Sequence, residues 1–558
     1  MIMNKIFRNG LLMLAAGAFV VSCADYNETD NFYAEPDPTV TAPYANLSTV
    51  KSYINRDLYP NMTLGAQMKV ADFNKHELAH AAAVSNFNNY AFGTTLMSGA
   101  IVNEKGVMNF LAMKELLDHV DEIGGEVYGS PLFANANQPD GWLKTLTEPI
   151  EIPVDFIEGK SVNFNEMNVG DTYNESSIAK YDNQNCLKIG GSNGVTIISD
   201  FELDTKATYT TTFYAKVDKA EGTQSFYIVF CGDTIDGGGD KKKWSLKAGK
   251  WTKVVVENKC PENATAGTVK FANLRGSAVY IQKVQVGYYP YNHRPQTDQE
   301  LKDTINYAIN AWCDGVMKIN ESRIKTFDLI DEPIDAKSTD ITPGIYDIKH
   351  NPFDPMDKDR KIFWQDVIGS ENYAPVVAKV ASEKYTDYGG NAEDLKFFIS
   401  EIGLEEEKKF ESLKHWIKVW ENNGAKIDGI NAKVTLSYSE DATTQAANKA
   451  AINTLLDNLA TTGKLIRLSN FDIKYLAADG TSVSADKITK EQRQTLADYN
   501  AEVIKAYMAK IPNDKQAGIC KGNMIDTSDP VGLWSKDAKK DWARTATYEA
   551  FCKALSGE

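Results

Sequence analysis

The feature that most constrains the fold is an alternation of helix and strand patterns that stops and later resumes. Residues 49–148 contain a helical pattern, Leu111 to Ile123, followed by a strand pattern, Val127 to Phe133. In residues 149–290 helical periodicity disappears, and short segments of period two follow one another. Residues 291–558 alternate between helix and strand again. Helix followed by buried strand is the unit of a parallel sheet, whereas period-two segments between turns indicate an antiparallel sandwich or jelly roll.

An α/β chain that is interrupted by one all-β block predicts a (β/α)8 TIM barrel with a domain inserted in a loop after a strand. Loops at the C-terminal face of such a barrel tolerate insertions and carry function. The predicted organisation is a first barrel part at 49–148, an inserted all-β jelly-roll or sandwich domain at 149–290, and a second barrel part at 291–558.

The N-terminus has the pattern of an export signal. A short basic start precedes an apolar run, Gly10 to Val21, which is too short to span a bilayer and ends at Ser22-Cys23. We expect residues 1–22 to be a lipoprotein signal peptide and Cys23 to carry acyl chains that anchor it. Residues 23–48 are polar and acidic, which is typical of a flexible tether. The predicted location is the outer membrane, at the cell surface, with the periplasmic side as the alternative.

The overall charge narrows the range of partners. A formal net charge of −16 argues against nucleic acid, whose phosphates need a basic surface. The cysteines beyond Cys23 are scattered without metal-ligand spacing, and whether they form a disulfide stays open. No cofactor is expected. Calcium is the one ion considered, through oxygen ligands from Asp354, Asp357 and Asp359, with a solvated acidic turn as the favoured interpretation.

One glutamate has the position that a sugar-cleaving barrel requires. Glycoside hydrolysis uses two carboxyl groups, of which one protonates the leaving oxygen and the other attacks the anomeric carbon or activates water. Glu332 directly follows the strand pattern Thr326 to Ile330 and precedes Pro333. A residue just past a buried strand is presented at the loop face of a barrel, so Glu332 is the acid/base candidate.

The segment FDLIDEPID at 327–335 resembles the acid/base segment of glycoside hydrolase family 10, the endo-β-1,4-xylanases, which usually reads Trp-Asp-Val-Val-Asn-Glu. Further stretches resemble the family's strands in the same order, at 127–142, 395–405, 427–430 and 467–473. The resemblance covers about 60–148 and 295–555 and implies a retaining xylanase barrel. The interrupting block is similar to a family 4/9-like carbohydrate-binding module, an arrangement known from Bacteroidetes-type lipoproteins.

The sequence departs from the family pattern at most polar positions. Asn470 stands where the resemblance places the nucleophile, and an amide cannot form the glycosyl ester. Asn135 and Asn137 stand where the family contacts sugar, and Lys433 lies where the strand normally ends in a histidine. Asp331 replaces the asparagine that holds the 2-hydroxyl. The resemblance assigns these positions to substrate binding.

Other candidates complete the predicted site. Asp472 matches the family as Glu332 does, and Lys521 takes the place of a tryptophan of the eighth strand. Trp534 is expected to supply a ring from the following loop. In the interrupting block, Trp244 is expected to be an exposed platform for a sugar ring.

Three functions are compatible with the sequence. The favoured one is a cell-surface protein that binds xylan or a related β-glycan and has lost catalysis, because Asn470 replaces the nucleophile. The alternative is an active endo-β-1,4-xylanase-like glycosidase with Glu332 as acid/base and a substitute partner, Glu401 or Glu440, although each of these is expected to be a surface carboxylate. The third is a scaffold in an outer-membrane glycan uptake complex, with an importer as its partner.

Overall fold

The computed structural model describes residues 44–152, 154–190, 194–218, 221–232, 240–261, 264–272, 277–290, 292–536 and 541–557. The predicted signal peptide, Cys23 and most of the predicted tether lie outside these residues. The chain divides into two compact units. The first comprises Met1–Thr147 with Asp298–Glu558, and the second comprises Glu148–Thr297.

The first unit is built on eight parallel strands. They are β1 Thr63–Gln67, β2 Asn89–Ala91, β3 Glu126–Tyr128, β4 Thr326–Asp331, β5 Lys396–Ile402, β6 Gly429–Lys433, β7 Leu465–Ser469 and β8 Gln516–Lys521. Their hydrogen-bonded order is β3-β2-β1-β8-β7-β6-β5-β4, with the short strand Phe133–Ala134 beside β4. All of these pairs are parallel. The expectation of a (β/α)8 barrel is therefore confirmed.

A close approach between β3 and β4 completes the ring. Gly129 forms a parallel bridge with Phe327, and the Gly129 amide donates to the Thr326 carbonyl at 2.8 Å. A Cβ atom on Gly129 would lie 2.1 Å from the Phe327 ring, so no larger residue fits without movement of that ring. Glycine at position 129 thus allows the two strands to meet.

Helices surround the strands in sequence order. They are α1 Val70–Phe73, α2 Leu78–Asn86, α3 Ser98–Ile101, α4 Leu111–Glu122, α5 Asp140–Leu146, α6 Asp298–Asn320, α7 Trp364–Ile368, α8 Tyr373–Asp387, α9 Glu407–Asn422, α10 Ala442–Ala460, α11 Lys490–Lys510 and α12 Ala546–Ser556. In α4 the buried residues Met113, Leu116, Leu117 and Val120 recur at helical spacing and face the core. No helix in the described ranges is both long and apolar enough to cross a membrane.

One strand assignment from the sequence is wrong. The pattern Lys464 to Ile473 predicted a single strand, but β7 ends at Ser469 and a separate strand, Ile473–Leu476, pairs with Leu436–Ser439. The break falls at Asn470, whose φ is +53°. A left-handed residue cannot continue a strand, and asparagine adopts this conformation more readily than most residues.

The second unit contains antiparallel strands and no α-helix among its described residues. Its two large sheets have four and seven strands, and a small two-stranded sheet pairs Ile150–Glu151 with His293–Arg294. The four-stranded sheet contains Val195–Phe201, Thr223–Phe230, Asp240–Lys247 and Gly267–Ala272; the larger sheet contains Ile157–Asn163, Thr172–Tyr173, Ser176–Tyr181, Gln184–Ile189, Thr208–Val217, Thr252–Lys259 and Val279–Tyr288. Both large sheets contribute side chains to one apolar cluster. In this cluster the ring centres of Phe213, from the larger sheet, and Phe271, from the smaller sheet, lie 4.8 Å apart. The six described cysteines are free thiols.

We predict that Gly129→Ala destabilises the barrel, because the added methyl group must displace the Phe327 ring. Overpacking of this kind costs about 1–3 kcal/mol. Calorimetry should show a lower melting temperature for the transition of the barrel. In Gly190→Ala, the control, the new Cβ meets nothing nearer than 3.9 Å. Equal melting temperatures for the two variants would contradict the role of Gly129 in closure.

Candidate functional site

A cavity opens at the carboxyl ends of the barrel strands. Its volume is about 190 Å³, and it opens to solvent at the rim. It is lined by Gln67, Ala91, Phe92, Gly93, Thr94, Met97, Tyr128, Gly129, Ser130, Pro131, Asp328, Asp331, Asn431, Lys433, Arg467, Ser469, Asn470 and Cys520. Seven of the eight strands or their exits contribute, β5 being the exception. The C-terminal face is where barrel proteins place their functional residues.

A polar network forms the floor of this cavity. The Tyr128 hydroxyl donates to Asp328 Oδ1 at 2.7 Å, and Asn431 Nδ2 donates to Asp328 Oδ2 at 2.9 Å. The Arg467 guanidinium lies 3.9 Å from the centre of the Tyr128 ring. All four side chains are buried. Burial raises the pKa of Asp328 to about 6, partly offset by the hydrogen bond from Tyr128.

Three polar atoms of this floor have no hydrogen-bond partner in the protein. They are Arg467 Nε, Arg467 Nη2 and Asn431 Oδ1, all buried and on residues that line the cavity. Buried polar atoms are almost always satisfied, so unpaired ones at a cavity indicate groups that a water molecule or a bound ligand completes.

Lys433, at the end of β6, forms ion pairs with the two adjacent acidic residues at the end of β4. Its Nζ forms an ion pair with Asp331 Oδ1 and lies 3.1 Å from Glu332 Oε1. The Lys433 and Asp331 side chains are only 18% and 12% exposed, so this pair is shielded from solvent. Ser400 Oγ also donates to Asp331 Oδ1 at 2.6 Å. The structure therefore brings the predicted residues Asp331, Glu332 and Lys433 together.

These neighbours determine the protonation of Glu332. Burial acts to raise the pKa of Glu332, but the charges of Lys433, Lys349 and Lys409 outweigh it, so the pKa falls below the usual value. Lys349 Nζ lies 3.7 Å from Glu332 Oε2. A general acid must hold a proton at the working pH, which requires a raised pKa. Glu332 has the opposite shift and is an ionised hydrogen-bond acceptor at neutral pH.

Asn470 lies at the rim, just beyond β7. Its side chain is exposed and lines the cavity with Ser469. Both Asn470 and Glu332 have positive φ angles, +53° and +45°. Non-glycine residues with this backbone conformation cluster at functional sites, where the surrounding structure must hold them.

Asp472 is bound within the protein rather than presented to the cavity. Its carboxylate forms an ion pair with Lys521 and accepts a hydrogen bond from Asn523 Nδ2 at 2.6 Å. Lys521 is buried at the end of β8 and also donates to the Phe471 carbonyl at 2.7 Å. Burial lowers the pKa of Lys521, and the Asp472 charge partly offsets this. The two residues secure the β7 exit loop against β8.

Besides Asp472, four predicted sugar-contacting residues do not line this cavity. Trp534 is 0% exposed and packs against Trp542 and Tyr548, so the prediction of an accessible ring is wrong. Asn135 is buried and accepts from Gln365 Nε2 at 3.1 Å, whereas Asn137 is exposed. Trp244 lies in the second unit and is half-buried against its core, which corrects the expectation of an exposed platform.

The substitute carboxylates lie elsewhere. Glu401 was expected at the surface, but it is 0% exposed, and its carboxylate is 2.9 Å from Lys409 Nζ. Burial raises the pKa of Glu401, partly offset by Lys409. Glu440 is exposed and accepts hydrogen bonds from Tyr475 and Gln492. Neither side chain lines the cavity.

The acidic turn considered for calcium is exposed at Asp354, Asp357 and Asp359. Asp354 and Asp357 accept hydrogen bonds from nearby backbone amides, which stabilises the turn. Among the described residues, one group has three potential metal ligands close together, and it consists of His76, His80 and His119.

The interpretation of the sequence missed Asp328, Asn431, Arg467 and Tyr128. A usable signal was present: Asp328, Asn431 and Arg467 each interrupt an apolar strand pattern with a polar residue. Such residues in a buried strand face the barrel interior only if they have partners there, so their occurrence in three strands indicates a shared network.

Comparison with known proteins agrees with this architecture. The model of glycosyl hydrolase family 10 matches residues 288–547. No curated protein sequence matches significantly. A GH10 endoxylanase retrieved from a sugarcane soil metagenome has a similar structure, with a TM-score of 0.50 at 9% identity, covering 91% of this chain and 100% of that chain. Xylanase XynB from Paenibacillus barcinonensis has a TM-score of 0.49 at 9% identity, covering 91% of this chain and 98% of that chain. An endo-1,4-beta-xylanase from Penicillium canescens has a TM-score of 0.48 at 11% identity, covering 92% of this chain and 98% of that chain. The similarity to the endoxylanase from the soil metagenome supports the barrel fold and nothing beyond the fold.

We predict that the Asp328 carboxyl makes the stability of the barrel depend on pH. Its pKa is about 6 when folded, against roughly 3.9 in an unfolded chain, so the folded state holds the proton more tightly. The stabilisation by the protonated Asp328 carboxyl is complete below about pH 4 and is lost as the pH rises through about 6. The free energy of unfolding changes by about 3 kcal/mol over this range. Relative to Asp328→Asn, the free energy of urea unfolding of the wild type should fall over that range. The hydrogen bond from Lys408 lowers the pKa of Asp340, so the wild type relative to Asp340→Asn should instead lose stability as the pH falls below about 4.

We predict that Lys433→Met destabilises the barrel by about 2–4 kcal/mol, because it leaves Asp331 and Glu332 without the cation between them. Lys349→Met is the matched control. Lys349 is 35% exposed and lies farther from Glu332, so its loss should change stability by less than about 1 kcal/mol. Thermal and urea unfolding would compare the two variants, and equal losses would contradict a special role for Lys433.

Proposed function

We propose that this protein, whose residues 288–547 match glycosyl hydrolase family 10, binds xylan or a related β-glycan in its barrel without cutting it. The observation that carries this proposal is the Lys433 ion pair with Asp331 and Glu332. It accompanies Asn470 at the position where the family resemblance places the nucleophile.

The chemistry of retaining hydrolysis supports the loss of catalysis. That reaction needs a carboxylate that attacks the anomeric carbon and a second carboxyl group that is protonated when the bond breaks. The Asn470 amide cannot form the covalent ester. Glu332 is held ionised by lysine charges, so it does not have the proton that the leaving oxygen needs. Both halves of the mechanism are therefore lost.

The same cavity is suited to holding a sugar. Its side chains offer hydrogen-bond donors and acceptors at several heights, from Arg467 and Asn431 at the floor to Gln67 and Asn470 at the rim. A ligand rich in hydroxyl groups can satisfy both kinds. Xylan is the substrate class that the family match suggests, and the retained barrel and cavity support binding to it or to a related β-glycan.

The second unit offers another surface for the polymer. We interpret this unit as an inserted carbohydrate-binding-like module. Tyr289 is 59% exposed and lines an open depression together with Glu151, Lys206 and Asn292. An exposed ring flanked by carboxylate and amide groups is the arrangement by which sugar rings are stacked and hydrogen-bonded. This depression takes the role that the sequence assigned to Trp244.

The position of the protein in the cell is part of the proposal. Cys23 and the apolar run before it support a lipid-anchored protein of the outer membrane, displayed at the cell surface. In that place a non-cleaving protein retains polysaccharide close to enzymes and transporters. The alternative of a scaffold for a glycan importer would show itself as co-purification of the importer from membranes.

An active glycosidase is the second candidate. It would need a substitute for the nucleophile, and Glu401 and Glu440 are the carboxylates that the sequence offered. The Glu401 side chain is buried and forms an ion pair with Lys409, and the Glu440 side chain does not line the cavity. These positions favour binding over hydrolysis.

The first test measures release of reducing sugar and retention in an affinity gel, over a panel of xylans and other β-glycans. We expect no release from the wild type or from Glu332→Gln, and retention of the wild type on at least one β-glycan. Gln67→Ala and Asn470→Ala change exposed residues at the cavity rim and should weaken retention, whereas Glu440→Gln should not. Release by the wild type that disappears in Glu332→Gln would identify a hydrolase instead. Absence of retention on every glycan would refute the binding function.

The second surface is tested separately. Tyr289→Ala should weaken retention roughly tenfold, as expected for loss of a stacking aromatic ring worth about 1–1.5 kcal/mol. Tyr307→Ala is the control, because Tyr307 is similarly exposed at 61% but lies on α6 and lines neither depression. Equal retention by these two variants would contradict a role of the second unit in binding.

A further inference from the structure

Three histidines of the first barrel part form a cluster apart from the cavity. The ring centres of His76 and His119 lie 3.9 Å apart, those of His80 and His119 4.7 Å, and those of His76 and His80 4.8 Å. One ring nitrogen from each residue lies within 4.8 Å of those of the other two. None of the three lines the cavity.

The fold of the first helices brings these residues together. His76 lies in the turn between α1 and α2 with a φ of +53°, His80 lies in the first turn of α2, and His119 lies near the end of α4. The Phe73 ring packs 5.0 Å from both His80 and His119. The cluster therefore has an apolar wall on one side, while His76 faces solvent on the other.

His80 provides a second, independent observation. It is 2% exposed, and its Nε2 atom has no hydrogen-bond partner in the protein. A neutral imidazole is the form that ligates metals. A buried ring nitrogen without a partner calls for an explanation, and a bound ion supplies one.

Carboxylates surround the open side of the cluster. Glu115 and Glu122 lie four residues before and three residues after His119 on α4, which places both on its face of the helix. They line a depression together with His76, His119 and Asp118. Either glutamate or a water molecule can complete a fourth coordination position.

The distances between the histidine ring nitrogens are compatible with tetrahedral coordination of an ion after small movements of the side chains. Zinc binds imidazole nitrogen at about 2.0–2.1 Å, so two ligand nitrogens of a tetrahedral site lie about 3.4 Å apart. The nitrogens here must approach by about 1.4 Å at most, which rotation of the exposed His76 side chain and small tilts of the other rings achieve. Three imidazoles with a carboxylate or water select divalent ions such as Zn²⁺ and Co²⁺ over Ca²⁺ and Mg²⁺.

We propose that His76, His80 and His119 form a binding site for a divalent transition-metal ion of the zinc class. The ion links the start of α2 to the end of α4 and stabilises the first part of the barrel. The site does not depend on whether the cavity binds or cleaves glycans.

The test uses tag-free protein that has been treated with a chelator. Titration with Co²⁺ should give the visible absorption bands of a tetrahedral complex, saturating at one ion per chain, and Zn²⁺ should displace it. The melting temperature should rise on addition of Zn²⁺, because an ion that binds the folded state stabilises it.

Two variants and a control make the assignment specific. His76→Asn removes an exposed ligand, and asparagine tolerates the positive φ, so folding is retained. It should weaken Zn²⁺ binding at least about 100-fold, more than the effect of losing a second-shell partner. His80→Ala should abolish binding, and His415→Asn on α9 should leave it unchanged. Absence of Co²⁺ and Zn²⁺ binding by the wild type, or equal affinity in His76→Asn, would overturn the proposal.

Discussion

The barrel depends on the contact by which β3 meets β4. Gly129 leaves no side chain between the strands, and a Cβ atom there would collide with the Phe327 ring at 2.1 Å. Because the eight strands are parallel and form a ring, all their carboxyl ends reach the same rim. Asp331, Lys433 and Asn470 come from distant parts of the chain and are neighbours because β4, β5, β6 and β7 lie side by side in this ring.

The chemistry at the rim follows from one cation. Lys433 lies between Asp331 and Glu332, and together with Lys349 and Lys409 it holds Glu332 ionised. The charge that stabilises these carboxylates in the fold is the same charge that removes the proton a general acid would donate. The lysine charges that stabilise the folded barrel at Glu332 therefore disfavour hydrolysis there. This supports a site that binds a glycan without cutting it.

Unsatisfied polar atoms distinguish two places in an otherwise apolar barrel. At the cavity floor, Arg467 Nε and Asn431 Oδ1 lie beside the Tyr128–Asp328 hydrogen bond. Far from that floor in the sequence, the His80 ring, whose Nε2 has no hydrogen-bond partner, lies against the His76 and His119 rings. Leaving such atoms buried costs free energy unless a ligand, ion or water completes them. The first place is suited to sugar hydroxyls and the second to a metal ion, since their atoms differ in chemistry.

The sequence by itself determined the barrel, because helix and strand periods report which faces are apolar, and it placed Glu332 at a strand end for the same reason. Asn470 was identified by the family resemblance, inside a predicted strand that the structure ends at Ser469. Only the tertiary structure decided which side chains reach the cavity. Trp534 follows β8 in sequence but packs in the core, and Glu401 ends inside the protein with Lys409. The pairing of Lys433 with Glu332 joins residues 101 positions apart. Periodicity describes one element at a time, whereas burial and ion pairing depend on how distant elements pack against one another.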